Sequence, residues 1–205
     1  MKYPRTFHIP QSPGASADDK VLDDINMFIG QHVIITEKMD GENTTIHHRG
    51  THARSLNSRH HESRSWVKSF AASISPFLDE NERIIGENMF AVHSLEYENL
   101  PSYFLGFAHQ IDCTFSSWDD TQRRFSDFNI ESVRVLYDGI FDNKVLQDTI
   151  RELDPKIQEG FVIRKRAAFH VSDFSISVAK YVRANHVKSS DHWMHSTIRQ
   201  NKMRN

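Results

Sequence analysis

Glu37-Lys38-Met39-Asp40-Gly41-Glu42-Asn43 sets a lysine between two acids, followed by a flexible glycine and an amide. A lysine is a nucleophile only once it has shed its proton. From an ordinary pKa of about 10.4, that takes a desolvated site or a neighbouring positive charge, a metal ion included. A triphosphate–metal complex supplies such a charge. The same chemistry needs cations for the phosphates, acids for a metal or a ribose, and an aromatic face for a base. By itself the pattern KxDG reads equally well as a surface ion pair. The chain downstream holds each of the required types. Arg54 lies in Ala53-Arg54-Ser55-Leu56-Asn57, Glu87 in Gly86-Glu87-Asn88-Met89-Phe90 and Phe107 in Phe104-Leu105-Gly106-Phe107-Ala108. Glu159-Gly160-Phe161-Val162-Ile163-Arg164 and Val178-Ala179-Lys180-Tyr181-Val182-Arg183 complete the series. Taken singly, each is an ordinary strand with a polar residue.

Taken in order, these segments resemble the six signature motifs of the covalent nucleotidyltransferases: ATP-dependent RNA ligases, DNA ligases and mRNA capping enzymes. The resemblance spans Glu37 to Arg183. The form Lys-x-Asp-Gly-x-Asn is similar to RNA ligases, whereas DNA ligases usually show arginine where Asn43 stands. The resemblance implies that Lys38 attacks the α-phosphate of ATP, expels pyrophosphate and carries AMP. The AMP then passes to an RNA 5′-phosphate, and a 3′-hydroxyl closes the phosphodiester. It implies catalytic roles for Lys38, Glu159 and Lys180, with Lys180 neutralising the α-phosphate. Magnesium or manganese would sit on Glu159, with Asp40 as helper. Glu37 would face the adenine, Met39 and Asn43 would line the nucleotide, and Arg54 would contact phosphate or ribose. Glu87 would take the ribose hydroxyl, Phe107 would stack on adenine and Val162 would flank the base.

Two departures from the family pattern stand out. Many relatives end the last motif with two lysines one residue apart, whereas here the second cation is Arg183, which an extended strand turns to the other face from Lys180. Only 25 residues follow Lys180. The expectation is therefore a single nucleotidyltransferase domain over 1–205, without an appended C-terminal domain, that adenylates itself readily and seals RNA ends weakly or with a helper protein. Those ends could be a nicked duplex or single strands.

The elements that must position these residues read as an α+β pattern. Val21, Leu22, Ile25, Phe28 and Ile29 recur at helical spacing and predict a helix over 17–30. The β-branched run 33–36 predicts a strand ending at Lys38, a turn at 38–41 and a second strand at 44–46. A helix is expected over 64–78, and strands at 84–85, 103–108, 160–164 and 176–182. Two more helices are expected over 118–128, opened by Ser117 with Asp120, and over 143–153. No GxGxxG or GxxxxGK[ST] loop is present, so phosphate must be held by side chains. The resemblance adds the expected architecture: a nucleotidyltransferase (ATP-grasp-like) core of antiparallel sheets with flanking helices and a nucleotide cleft.

Composition narrows the class. Hydrophobic residues make up 38% and charged residues 25% of the 205, as in ordinary folded domains. The 25 Lys and Arg are balanced by 27 Asp and Glu, so any nucleic-acid surface must be local. The run 47–68, with Arg49, Arg54, Arg59, Arg64, Lys68 and histidines at 47, 48, 52, 60 and 61, is either such a phosphate-facing surface or a solvated basic face. Cys113 is the sole cysteine, which excludes an internal disulfide and a thiolate zinc cluster and suits a cytoplasmic location. The proline-interrupted N-terminus carries no apolar signal core, and no apolar stretch is long enough for a membrane span. Two alternatives stay open: a DNA ligase or GTP-using capping enzyme with the same chemistry, and a non-catalytic nucleotide- or RNA-binding module.

Overall fold

The computed structural model describes residues 2–54, 61–184 and 198–204. Among these residues eleven strands and three α-helices follow in chain order: β1 (Phe7–His8), β2 (His32–Lys38), β3 (Glu42–His47), β4 (Gly50–Ala53), α1 (Ser65–Ala72), β5 (Glu82–Asn88), β6 (Phe104–Ile111), β7 (Thr114–Phe115), α2 (Trp118–Asp127), β8 (Val135–Ile140), α3 (Asn143–Glu152), β9 (Gly160–Lys165), β10 (Phe169–His170) and β11 (Val178–Val182). One sheet has the order β1-β11-β9-β2-β8 and the other β10-β7-β6-β5-β3-β4. Every pairing is antiparallel except β1 with β11. This is the α+β architecture of antiparallel sheets with flanking helices.

Strand alternation sorts the side chains. In the first sheet the odd positions Val33, Ile35, Phe161, Ile163, Ala179 and Tyr181 join one core with Ile25, Phe28 and Leu146 of α3. The even positions Lys38, Val162, Arg164 and Lys180 are left for the opposite face. In the second sheet Ile46, Ile84 and Phe104 pack under α1 and α2, through Val67, Ala71 and Phe125. Ile85, Ala108 and Phe115 face the other way, where they meet Val178 and Val162 of the first sheet. The two sheets therefore face one another across a space lined by both.

Ser117 caps α2 by accepting from the Asp120 N–H, and Asp142 caps α3 by accepting from the Val145 N–H. The expected helix over 64–78 is shorter, with α1 flanked by 3₁₀ turns at Glu62–Arg64 and Ser75–Phe77. Residues 17–30 form no helix, which corrects the periodicity reading. Lys20 and Leu22 are instead hydrogen-bonded to both sides of His8 on β1. Asp24 accepts from the Asn26 N–H in a local turn. The helical spacing still serves burial, because Ile25 and Phe28 both enter the core. β8 matches no expected element; its Asp138 and Gly139 pair with Ile34 and Val33 of β2.

The last described segment straps the region around Lys38. The buried Asn201 side chain donates to the carbonyls of Met89 and Ala91 and accepts from the Tyr97 N–H at 2.8 Å. Tyr97 Oη in turn accepts from the Asp40 N–H at 3.0 Å. The expected tail packing at His186, Lys188, His192, Trp193 and His195 falls outside the described residues.

Candidate nucleotide-transfer site

Between the two sheets lies a cavity of about 480 Å³, within the size range of ligand pockets. Its lining includes Glu37, Lys38, Met39, Asn43, Arg54, Glu87, Phe107, Val162 and Lys180. Residues spread from β2 to β11 are thus brought to one space. The register does this directly. Lys38 pairs with Gly160, Thr36 with Val162, and Val162 with Lys180, while Asn43 on β3 pairs with Glu87 on β5.

Lys38 Nζ donates to Glu159 Oε2 at 2.5 Å, with 24% of the lysine side chain and 7% of the glutamate exposed. Burial alone would lower the Lys38 pKa, but the carboxylates of Glu159, Glu87 and Asp40 outweigh it and hold the ammonium above its ordinary value. At rest the nucleophile is charged and parked. Lys180 is shifted the other way, lowered by burial and then by the charge of Lys38, with Asp19 and Glu159 opposing. Glu87 is pushed up to about 8 by burial, to which Glu159, Asp40 and Glu42 add, while Lys38 opposes.

The Glu87 shift has a measurable sign. The folded chain keeps this carboxyl protonated where the unfolded chain has lost its proton, so stability falls as pH rises from about 4.5 to about 8. Glu87→Gln, which cannot ionise, is expected to raise Tm by several degrees at pH 8 and by little at pH 5. Thermal melts of both chains at the two pH values check this; equal gains would remove the linkage.

Two orphaned polar atoms point to a ligand. Asn43 Oδ1 and Arg54 Nε are buried without a hydrogen-bond partner, one ready to accept from a hydroxyl or amine and the other to donate to a phosphate. Phe107 meets Tyr3 edge to face at 5.4 Å. Met39 is nearly buried among Ile34, Met89 and Val133.

Other expected residues have different surroundings. Glu37 borders the cavity, but its carboxylate is hydrogen-bonded by Gln158 and lies 4.0 Å from Arg134 Nη1. Asp40 Oδ2 accepts from Ser94 N at 2.8 Å, Ser94 Oγ at 2.6 Å and Leu95 N at 2.7 Å, so this oxygen pins the 94–95 loop beneath Lys38. Hydrogen bonds to a charged acceptor are worth about 1.5–3 kcal/mol each. Asp40→Ala is expected to cost about 2–4 kcal/mol, read as a lowered urea midpoint without metal or nucleotide. An unchanged midpoint would leave Asp40 no structural role. Arg183 donates its N–H to the Glu159 carbonyl at 3.0 Å and does not line the cavity. Arg64 of the basic run is buried against Glu42, to which its Nε donates at 2.7 Å, so it is no phosphate surface. Arg59 and His60 lie outside the described residues.

A divalent ion fits the acids present. Glu159, Glu87 and Asp40 all act on Lys38, and a cation would offset the negative charge that adds to burial in raising the Glu87 pKa. Among the described residues no three ligands form a closed cage. An ion here would complete its shell with phosphate and water oxygens, as magnesium commonly does.

The cavity also holds residues that motif reading missed: Tyr3, Arg5, Asp19, Thr36, Phe115, Arg164 and Phe169. Arg164 was within reach of strand alternation, two residues beyond Val162. It is buried, its pKa brought down to about 10 by that burial, and it donates to the Ser116 carbonyl at 2.8 Å. The N-terminal residues gave no signal, because polar residues broken by prolines match no element.

A family model described as RNA ligase matches residues 31–182, from the start of β2 to the end of β11. The chain belongs to the RNA ligase family. Among solved structures, Naegleria gruberi RNA ligase with PPi is 19% identical, with a TM-score of 0.58 over 78% of this chain and 51% of that one. A mutant of the same RNA ligase with ATP and Mn is 17% identical, with a TM-score of 0.58 over 89% and 60%. An apo mutant gives 15% identity and a TM-score of 0.57 over 89% and 57%. At these identities the likeness is one of fold, and the chain spans little more than half the length of these relatives. No curated protein matches the chain. Among the described residues no helix is long and apolar enough to cross a membrane.

Proposed function

We propose that this member of the RNA ligase family joins RNA 5′-phosphate and 3′-hydroxyl ends with ATP, carrying AMP on Lys38, and that residues 1–205 act as one adenylyltransferase domain. The observation that carries this reading is the pairing of Lys38 with Glu159 at 2.5 Å beside a cavity that also collects Lys180, Arg54, Glu87 and the unpartnered Asn43 Oδ1.

Each residue has a task its chemistry suits. The ammonium of Lys38 gives a proton to Glu159, and the freed lone pair attacks the α-phosphorus. The N–P bond forms as the bond to the β-phosphate oxygen breaks, and that bonding pair departs with pyrophosphate. Lys180 and Arg54 neutralise charge on the equatorial oxygens, where it builds during transfer. Asn43 and Glu87 fix the ribose, and Phe107, Met39 and Val162 enclose the base. A bound Mg2+ or Mn2+, held by Glu159 with Asp40 as helper, would favour the neutral amine and offset phosphate charge. The same Lys180 then serves when the RNA 5′-phosphate oxygen displaces Lys38 from AMP, and again as the 3′-hydroxyl displaces AMP.

The test is incubation of the purified chain with metal and ATP labelled at the α-phosphate, then denaturing electrophoresis, with labelled GTP and a 5′-phosphorylated RNA chase in parallel. Label from ATP that survives denaturation and moves to RNA supports the reading. Label from GTP alone makes the chain a guanylyltransferase, and no label with either nucleotide sinks the ligase reading.

A further inference from the structure

The N-terminal residues add a cation that the motifs do not contain. β1 runs parallel to β11, with Phe7 opposite Ala179 and His8 opposite Lys180, and this pairing carries residues 2–6 into the cavity lining. Arg5 Nη2 donates to Asp19 Oδ1 at 3.1 Å and to the Asp18 carbonyl at 2.6 Å. The same Oδ1 atom lies 3.9 Å from Lys180 Nζ. Asp19 is itself fixed, its Oδ2 accepting from Ser16 N at 3.1 Å and Ser16 Oγ at 2.9 Å. Arg5 and Lys180 thus share one anchored carboxylate oxygen, at the wall of a cavity whose volume remains with residues 2–6 in place. Arg5 keeps 43% of its side chain exposed, so a stronger anion can draw it off Asp19 without opening the core.

The strand order gives the direction. β2, β9, β11 and β1 lie side by side in that order, and β1, which Arg5 leads into, pairs with the Lys180 strand on the side away from β2 and Lys38. In an in-line displacement the leaving group departs on the side of phosphorus opposite the attacking atom. Resting on the adenylyl-transfer reading above, we infer that Arg5 is a ligand for the β- and γ-phosphates, the pyrophosphate that leaves as Lys38 takes AMP, and that Asp19 is its holding place in the free chain. As the α-phosphorus bond to the bridging oxygen breaks, the electron pair and its charge pass to pyrophosphate, where a planar guanidinium binds two oxygens at once. The later transfers to RNA involve no pyrophosphate and owe nothing to Arg5.

That separation supplies the experiment. Wild type, Arg5→Ala and Arg5→Lys are loaded with labelled AMP at saturating ATP and freed of nucleotide. Each is then split between a pyrophosphate titration, which returns the label as ATP, and a 5′-phosphorylated RNA, which accepts it. The expected result for Arg5→Ala is at least a tenfold rise in the pyrophosphate concentration for half-maximal release, partly restored in Arg5→Lys. Its transfer to RNA should stay within twofold of wild type. An unchanged pyrophosphate titration, or an equal loss in both reactions, overturns the assignment while leaving the lysyl-AMP reading intact. A wild type that never loads overturns both.

Discussion

Replacing Lys38 with alanine or with arginine is expected to abolish covalent AMP labelling, a loss on the scale of about 10⁶-fold, as when a catalytic nucleophile is removed. The two substitutions fail for different reasons, and the pair is informative for that. Lys38→Ala removes the nitrogen and also leaves the buried Glu159 carboxylate without the ammonium it pairs with, so it alters fold stability as well as chemistry. Lys38→Arg keeps the cation beside Glu159 but supplies a guanidinium that does not deprotonate in a protein. Its Tm should therefore stay close to wild type while labelling disappears. Quantitative labelling of Lys38→Arg would move the nucleophile elsewhere in the chain.

Gly160→Ala is expected to unfold the site without touching a reactive atom. A Cβ built on Gly160 would lie 1.9 Å from the Tyr181 carbonyl oxygen, 2.9 Å from its carbon and 3.1 Å from the Val182 Cα. These are backbone atoms of β11, so no rotamer change relieves the clash and the strands must part. Overpacking a core typically costs about 1–3 kcal/mol, and a backbone clash this close belongs at or above the top of that range. Gly160 pairs with Lys38 on one side and Val182 on the other. Parting them displaces both Glu159 and the Lys180 strand. The expected result is a fall in Tm of at least 6 °C or so, with labelling lost in proportion. A variant with wild-type Tm and activity would refute the close packing of β9 on β11.

Much of this was legible in the residues. The β-branched run Val33-Ile34-Ile35-Thr36 marked the strand that ends at Lys38, and capping chemistry located α2 from Ser117 and Asp120. The motif series named nine of the 22 residues that line the cavity, seven of them on strands, where period and type survive in sequence. What escaped was set by tertiary contacts. Lys20 and Leu22 gave up helical geometry for hydrogen bonds to His8, and Asp19 gained its place beside Lys180 only because β1 docks on β11. Arg5 and Tyr3 belong to a stretch with no local signature, and nothing short of the fold could have put them in the pocket. Asp40 was recognisable as an acid of the site, but its three bonds to the 94–95 loop depend on contacts far along the chain.

The pairing of β1 with β11 also sets the order in which the site is completed during synthesis. Lys38 and Glu37 are made early, and Glu87 soon after. Glu159 emerges just before β9 and Lys180 within β11, and it is β11 that pairs with β1, which Arg5 leads into. A nascent chain stalled before β11 holds the nucleophile but neither the cation for its α-phosphate nor the surface that seats residues 2–8. Contacts between such distant parts of a chain close late and slowly. A ribosome-bound fragment is therefore expected to remain uncharged with AMP until nearly all of the matched region has been translated.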